Sequence, residues 1–377
     1  MSNNVRSDKK TLFGAAINPP VFFGSLILLL SLISTTIIIG EPVEELFRTV
    51  QASISDVAGW FFILLANLLM FFLIYLAFSK FGNIRLGGSD AKPDFSRISW
   101  FAMLFSAGLG IGLLFYGVAE PIYHFNDNPF VDNSDTIAAA KSAMGITFYH
   151  YGFQAWSIYA TVGLALAFFT FNLKLPLTIR SIFYPLLGNR IYGRWGDLID
   201  VISVIATVVG LATSLGLGAQ QVNAGLEYLF GTQYSREAQI LIIVVVTAFA
   251  TMSLLAGLDK GIRRLSEVNM GLAMVLLVFV LAIGPSAFLM DSFVQNIGYY
   301  LDNFFKIGMW TESYVGVKDD SNWQNVWTVF YYAWWIAWSP FVGIFIARVS
   351  KGRTIKEFIL GVVLVPSLLT FLWMSIF

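Results

Sequence analysis

The chain has 377 residues, 57% of them hydrophobic and 12% charged, with a mean hydropathy of +0.72. A soluble chain of this length would form two or three domains, but this composition excludes that and defines a polytopic membrane protein. Lys+Arg and Asp+Glu both number 23, a balance that by itself says nothing about partners, and no nucleic-acid partner is expected; the absence of cysteine excludes disulfides and thiolate sites, and two histidines are too few for a bis-histidine haem protein.

A polar leader, residues 1–18, precedes an apolar run too long for a signal-peptide core and lacking a cleavage site after it, so that run is read as a retained span. Nine apolar segments follow in order, at about 20–40, 57–79, 98–118, 138–171, 199–230, 238–257, 268–290, 324–347 and 356–377. The fourth and fifth are long enough to imply tilt or extension beyond the bilayer. Phe293 to Trp310 is amphipathic and predicted to lie along the outer interface or to pack on a neighbouring subunit. The ninth segment runs apolar to Phe377, which suggests a C-terminally incomplete chain.

Loop charge orients these segments. With a cytoplasmic N-terminus, the inner segments carry 18 of the 23 basic residues, in clusters such as Lys80/Arg85/Lys92/Arg97 and Arg348/Lys351/Arg353/Lys356. The outer segments hold only Arg48, Lys141, Arg236, Lys306 and Lys318, the alternation that the positive-inside rule asks for. An integral plasma (inner) membrane protein is expected.

Three stretches carry chemical information. In the third segment Gly108, Gly110 and Gly112 recur at every second residue. Small-xxx-small helix packing and a locally unwound span that presents bare carbonyls both account for them, and spacing alone favours packing. In the fourth, Tyr151, Trp156 and Tyr159 follow His150, which is read as a structural hydrogen-bonding residue. In the eighth, Tyr331, Trp334, Trp335 and Trp338 stand at i, i+3, i+4 and i+7 and form one aromatic stripe. Trp323 and Trp327 suit the lipid–water interface, whereas the others fall near the bilayer midplane. Aromatic rings at that depth hold a cation without a buried countercharge, and a quaternary ammonium is the natural ligand. Glu120, Asp197, Asp200 and Glu267 all read as lying near segment ends, so no charged residue is expected mid-span. Sodium needs only carbonyls and hydroxyls, which Ser106, Thr207, Thr213 and Ser214 could help supply, although an ordinary back-bond to its own helix suits each hydroxyl better.

FSAGLGIGLLFYGVAEP (105–121), ATSLGLGAQQVNAGL (212–226) and WWIAWSPFVGIFIARVSKGRTIKEF (334–358) together resemble the betaine/choline/carnitine transporter family, over about residue 15 to the end. The resemblance implies an all-α, inverted-repeat fold of the leucine-transporter-like kind with twelve spans, of which about nine are present. Residues 1–97 would be the N-terminal tail and two peripheral spans, 98–290 the first five-helix repeat, 291–322 an outer connecting helix and loop, and 323–377 the start of the second repeat. It implies an aromatic cage of Tyr151, Trp156, Tyr159 and Trp335, with Trp334 and Trp338 lining the pathway. The carboxylate end of the substrate would meet backbone at Ala107, Leu109 and Ile111. One sodium site would use carbonyls of Ser106 and Leu109 and hydroxyls of a tenth span. The other would use Thr207 and Phe341, with Leu211 standing where a second threonine is expected. Membrane lipids and a homotrimeric assembly are further implied partners.

The reading is therefore a secondary active transporter importing a small quaternary-ammonium or sulfonium zwitterion. Glycine betaine is the type substrate and dimethylsulfoniopropionate its sulfonium analogue, with sodium as coupling ion, no other cofactor and no resident metal. Gly112 stands where choline carriers often have an acidic residue, which favours the zwitterion; a choline or carnitine carrier or exchanger without sodium coupling is the alternative. A channel lacks its polar ring here, and an enzyme lacks a nucleophile–base pair.

Overall fold

In hydrocarbon every backbone polar group must be satisfied within its own segment, so long apolar runs resolve as helices. The computed structural model describes residues 10–12, 15–108, 110, 112–132, 134–257, 261–314 and 322–377, and they are nearly all helical. A three-residue antiparallel pair, Lys10–Leu12 with Ala15–Ile17, precedes the first helix. The long helices are α1 (Pro19–Ile39), α2 (Glu41–Phe78), α3 (Arg97–Gly108), α4 (Gly117–Asn126), α5 (Thr136–Tyr151) and α6 (Phe153–Ala167). They continue with α7 (Arg194–Phe230), α8 (Arg236–Leu255), α9 (Arg263–Ile283), α10 (Ser286–Asp302), α11 (Phe330–Val349) and α12 (Val365–Ile376). Among the described residues eight helical runs are long and apolar enough to cross a membrane, and a ninth crossing arises if the bent pair Arg97–Ala107 and Gly112–Asn126 is one span.

Four boundaries differ from the segments read off hydropathy. The second segment starts not near 57 but at Glu41, as one helix to Phe78. The third segment does not end near 118: it breaks, turns by 75° and runs on as helix to Asn126. The fourth is interrupted at Gly152, where a side chain would run into the Phe148 carbonyl and lie 2.7 Å from the Phe371 ring. The seventh ends earlier, at Ile283, because Gly284 is extended and Pro285 has no N–H to continue the ladder; α10 starts at Ser286. α10 packs on α5 and α12 of its own chain; its Tyr300 Oη donates to Gln154 Oε1 at the start of α6 (2.8 Å) and its Asn296 Nδ2 to Ser375 Oγ of α12 (3.1 Å).

Glycine sets the central crossing. A Cβ on Gly343 of α11 would lie 2.6 Å from Val162 Cγ1 and 3.3 Å from the Gly163 nitrogen. A Cβ on Gly163 of α6 would in turn lie 3.1 Å from Ile346. These two small residues let α6 and α11 approach backbone to backbone, the small-residue logic of membrane helix pairs. α1 and α8 are peripheral; no residue of α8 is buried, and its Ile240, Leu241, Val244 and Phe249 face outward, as lipid-facing side chains do.

The loops gather at two ends. At one, Leu86 and Ile84 pair with Arg353, Gly352 and Ile355 through backbone bonds of 2.8–2.9 Å. Asn172 joins them through Arg85 and Gly87, and Arg97 reaches Glu357 at 3.3 Å. At the other, Trp310 stands edge-on to Phe130 and Trp323, and Asn325 donates to Asp56 (2.7 Å).

Candidate functional site

The crossing of α6 and α11 dictates what lies beside it. Within the three or so turns before Gly343 along α11 come Trp338, Trp335, Trp334 and Tyr331; about one and two turns before Gly163 along α6 come Tyr159 and Trp156. The stripe and the aromatic trio thus meet. Trp335 is the shared wall: its ring centroid lies 4.6 Å from Tyr159, 5.8 Å from Trp156 and 6.2 Å from Tyr151. Tyr151 stands edge-on to Tyr331 at 5.2 Å, and Trp156 edge-on to Tyr159 at 5.9 Å.

These rings border a half-open cavity of about 100 Å³ lined by Tyr151, Tyr159, Tyr331, Trp334, Trp335, Trp338, Ala107, Gly110, Gly112 and Ser214. No described lining side chain is charged. Trp156 is buried one layer behind, supporting Tyr159 and Trp335 rather than lining the space. Leu109 and Ile111 lie outside the described residues. The indole N–H groups of Trp334 and Trp338 have no acceptor among the described residues.

The glycine stretch borders this cavity at the helix break, so packing between helices is not what all its glycines serve. A Cβ at Gly110 would meet nothing within 4 Å. One at Gly112 would press on Tyr151 Oη at 3.3 Å and on the Trp334 ring at 3.8 Å. Tyr151 Oη also donates to the Gly112 carbonyl (3.3 Å). Bare backbone and aromatic rings therefore face one another across a short distance. Tyr331 and Gly110 line the cavity beyond the expected substrate-binding residues, together with Gly112, which the sequence ties to substrate choice, and Ser214, which it offers only as a possible sodium hydroxyl. Tyr331 could have been expected among them, because it occupies position i of the stripe.

The residues tied to sodium are spread along α3, α7 and α11. Ser106 is half-buried just before the break. Thr207 Oγ1 donates to the Ser203 carbonyl (2.8 Å), the back-bond common for a helical threonine. Phe341 is exposed beside Trp338 (6.0 Å), and Leu211 is exposed one turn after Thr207. Trp338 packs on α7 at Gly210, where a Cβ would lie 2.9 Å from its ring.

One expectation is overturned. Glu120 is not near the end of a span but fully buried, because α4 continues past it to Asn126. Its Oε1 meets His150 Nδ1 at 2.6 Å and His124 Nε2 at 3.1 Å, and its Oε2 accepts from Tyr331 Oη at 2.5 Å. Glu120-xxx-His124 at i, i+4 was the sequence signal, hidden by ending the helix too soon. His150 is a hydrogen-bonding residue, its other nitrogen meeting Thr328 Oγ1 at 2.9 Å. The three groups place metal-ligand atoms within 4.8 Å of one another. The contact of 2.6 Å is nonetheless a direct hydrogen bond; an ion held at about 2.0–2.1 Å from both atoms in tetrahedral geometry would spread them past roughly 3 Å.

Membrane-crossing helices, one of them broken beside a buried aromatic cavity, define an integral membrane protein with an internal binding space rather than a soluble catalyst. The profile described as "BCCT, betaine/carnitine/choline family transporter" matches residues 20–377. The chain belongs to that family, whose members are transporters and not enzymes. The "Glycine betaine transporter OpuD" of Bacillus subtilis is 47% identical over 337 residues, covering 89% of this chain and 65% of that protein. A "Glycine betaine transporter" of Acinetobacter baylyi is 43% identical over 361 residues, covering 96% of this chain and 54% of the relative. The "High-affinity choline transport protein" of Escherichia coli is 45% identical over 363 residues, 96% of this chain and 53% of the relative. The chain thus spans about half to two thirds of the length of these curated relatives.

Proposed function

We propose that this chain supplies the substrate cavity of a secondary active transporter for a small quaternary-ammonium or sulfonium zwitterion, glycine betaine in type and dimethylsulfoniopropionate as its sulfonium counterpart. One observation carries the reading: Tyr151, Tyr159, Tyr331 and Trp335 converge on one buried cavity lined by no charged side chain among the described residues. Aromatic faces attract a methylated onium head without competing for the substrate's own carboxylate. Backbone of the glycine stretch, from Ala107 onward, and the free indole donors of Trp334 and Trp338 suit the carboxylate end. Relatives named for glycine betaine support the zwitterion. A choline carrier is the second reading, favoured by the equally similar choline transport protein.

Sodium is the proposed coupling ion, at carbonyls of Ser106 and Leu109 and, in a second place, at Thr207 and Phe341. Alternating access would move the first repeat, 98–290, against the second, which begins near 323, with the N-terminus in the cytoplasm. The test is equilibrium binding of glycine betaine, choline and carnitine to the protein in lipid nanodiscs, with and without sodium, followed by uptake into proteoliposomes under a sodium gradient. Saturable binding of glycine betaine that tightens with sodium is expected. Failure of all three ligands to bind would end the reading, and binding indifferent to sodium would leave a facilitator or exchanger.

A further inference from the structure

A carboxylate with no lysine or arginine partner is expensive inside a membrane and marks a functional group unless something compensates it. Glu120 is such a group. Among the described residues it pairs with no lysine or arginine, and its partners are His124, His150 and Tyr331. The hydrogen-bond inventory assigns its charge. Thr328 Oγ1 has one partner among the described residues, His150 Nε2, so the hydroxyl donates there and His150 carries its proton on Nδ1, facing Glu120. His124 Nδ1 has no partner among the described residues, so a proton on it, in either the Nδ1 tautomer or the cation, would be a buried unpaired donor; the neutral tautomer that donates from Nε2 avoids this. Tyr331 donates its phenol proton to Oε2. Three donors thus converge on the carboxyl group, which suits the ionised acid, and the cluster carries one net negative charge.

That charge sits one side chain from the cavity. Tyr331, which donates to it, lines the cavity beside Tyr151, whose hydroxyl spends its proton on the Gly112 carbonyl and lies 3.4 Å from Tyr331 Oη. The bond from Tyr331 to Glu120 fixes the Tyr331 hydroxyl with its proton toward the carboxylate and the negative end of its oxygen toward the space in front of it. We propose that Glu120 is the countercharge of this pocket: an ionised carboxylate behind the aromatic wall, through which the site prefers a cationic head to an uncharged group of the same shape. This rests on the proposed onium-binding function and names how that site tells charge from shape.

The unmodified protein in nanodiscs is titrated, by tryptophan fluorescence, with choline and with its uncharged isostere 3,3-dimethylbutan-1-ol. Glu120→Gln should weaken choline binding by about ten-fold or more and dimethylbutanol binding by less than about two-fold, since only the cation feels the lost charge. Equal losses for both ligands, or an unchanged choline affinity, would overturn the assignment. Glu120→Asp and Glu120→Asn match each other in size and differ in charge; Asp should keep the preference for choline and Asn lose it, and equal behaviour counts against the proposal. A third readout needs no variant: infrared difference spectra of the unmodified protein on adding choline should perturb an ionised carboxylate band, and a protonated-carboxyl band would refute the charge state. If the unmodified protein binds neither choline nor glycine betaine, the proposed function itself fails and this inference with it.

Discussion

At the residue scale the site depends on one shared wall. Trp335 is the ring that Tyr151, Trp156 and Tyr159 all approach, so losing it opens three contacts at once. Trp335→Leu should weaken glycine betaine binding about ten-fold or more, because a desolvated cation–π contact is worth ~2 kcal/mol; isothermal titration in nanodiscs measures it, and unchanged affinity would remove this residue from the site. Gly112 is a finer probe. Its missing side chain leaves room for Tyr151 Oη and the Trp334 ring, so Gly112→Ala should push Tyr151 from its bond with the Gly112 carbonyl and cost several-fold in affinity, read by the same titration. Gly110→Ala meets no atom within 4 Å and should leave the helices in place, so a matching loss of thermal stability would show that this glycine serves packing after all.

At the element scale the decisive feature is the crossing of α6 and α11. It needs glycine at 163 and 343, since a Cβ at 343 would lie 2.6 Å from Val162 Cγ1. Gly343→Leu should therefore separate the two helices, destabilise the protein by about 1–3 kcal/mol through overpacking, and abolish ligand binding together with stability. Thermal unfolding in detergent tests this, with Gly298→Ala on α10 as the comparison. A Cβ at Gly298 meets nothing within 4 Å, so that variant should be neutral or slightly more stable, alanine being the better helix former.

At the scale of the whole molecule the question is coupling. Thr207 spends its hydroxyl proton on Ser203, and Leu211, one turn on, offers no oxygen. A hard cation that loses one of a few oxygen ligands loses much of its affinity. Sodium should therefore enhance glycine betaine binding hyperbolically, with a Hill coefficient near ~1, and Leu211→Thr should steepen the dependence. A coefficient near ~2 in the unmodified protein would show that a second ion binds without Leu211's help.

Much of this protein follows from local pattern, because the bilayer enforces one backbone solution on any long apolar run. The apolar runs, the aromatic stripe from Tyr331 to Trp338 and the trio from Tyr151 to Tyr159 are all patterns within single segments, and those are legible residue by residue. The motif at 334–358 also carried the family. What stayed hidden depends on partners distant in sequence. Trp156 reads as a wall of the cage, yet the packing of Trp335 and Tyr159 sets it one layer back. Glu120 reads as a terminal residue because hydropathy falls near 118; only the continuation of α4 and the arrival of His150 and Tyr331 from two other helices make it a buried charge. Spacing alone favoured packing for the glycine stretch, whereas the neighbours of each missing Cβ separate Gly110 and Gly112 from that role. Composition determined that the chain lives in a membrane; which side chains share a cavity there was decided by where the helices cross.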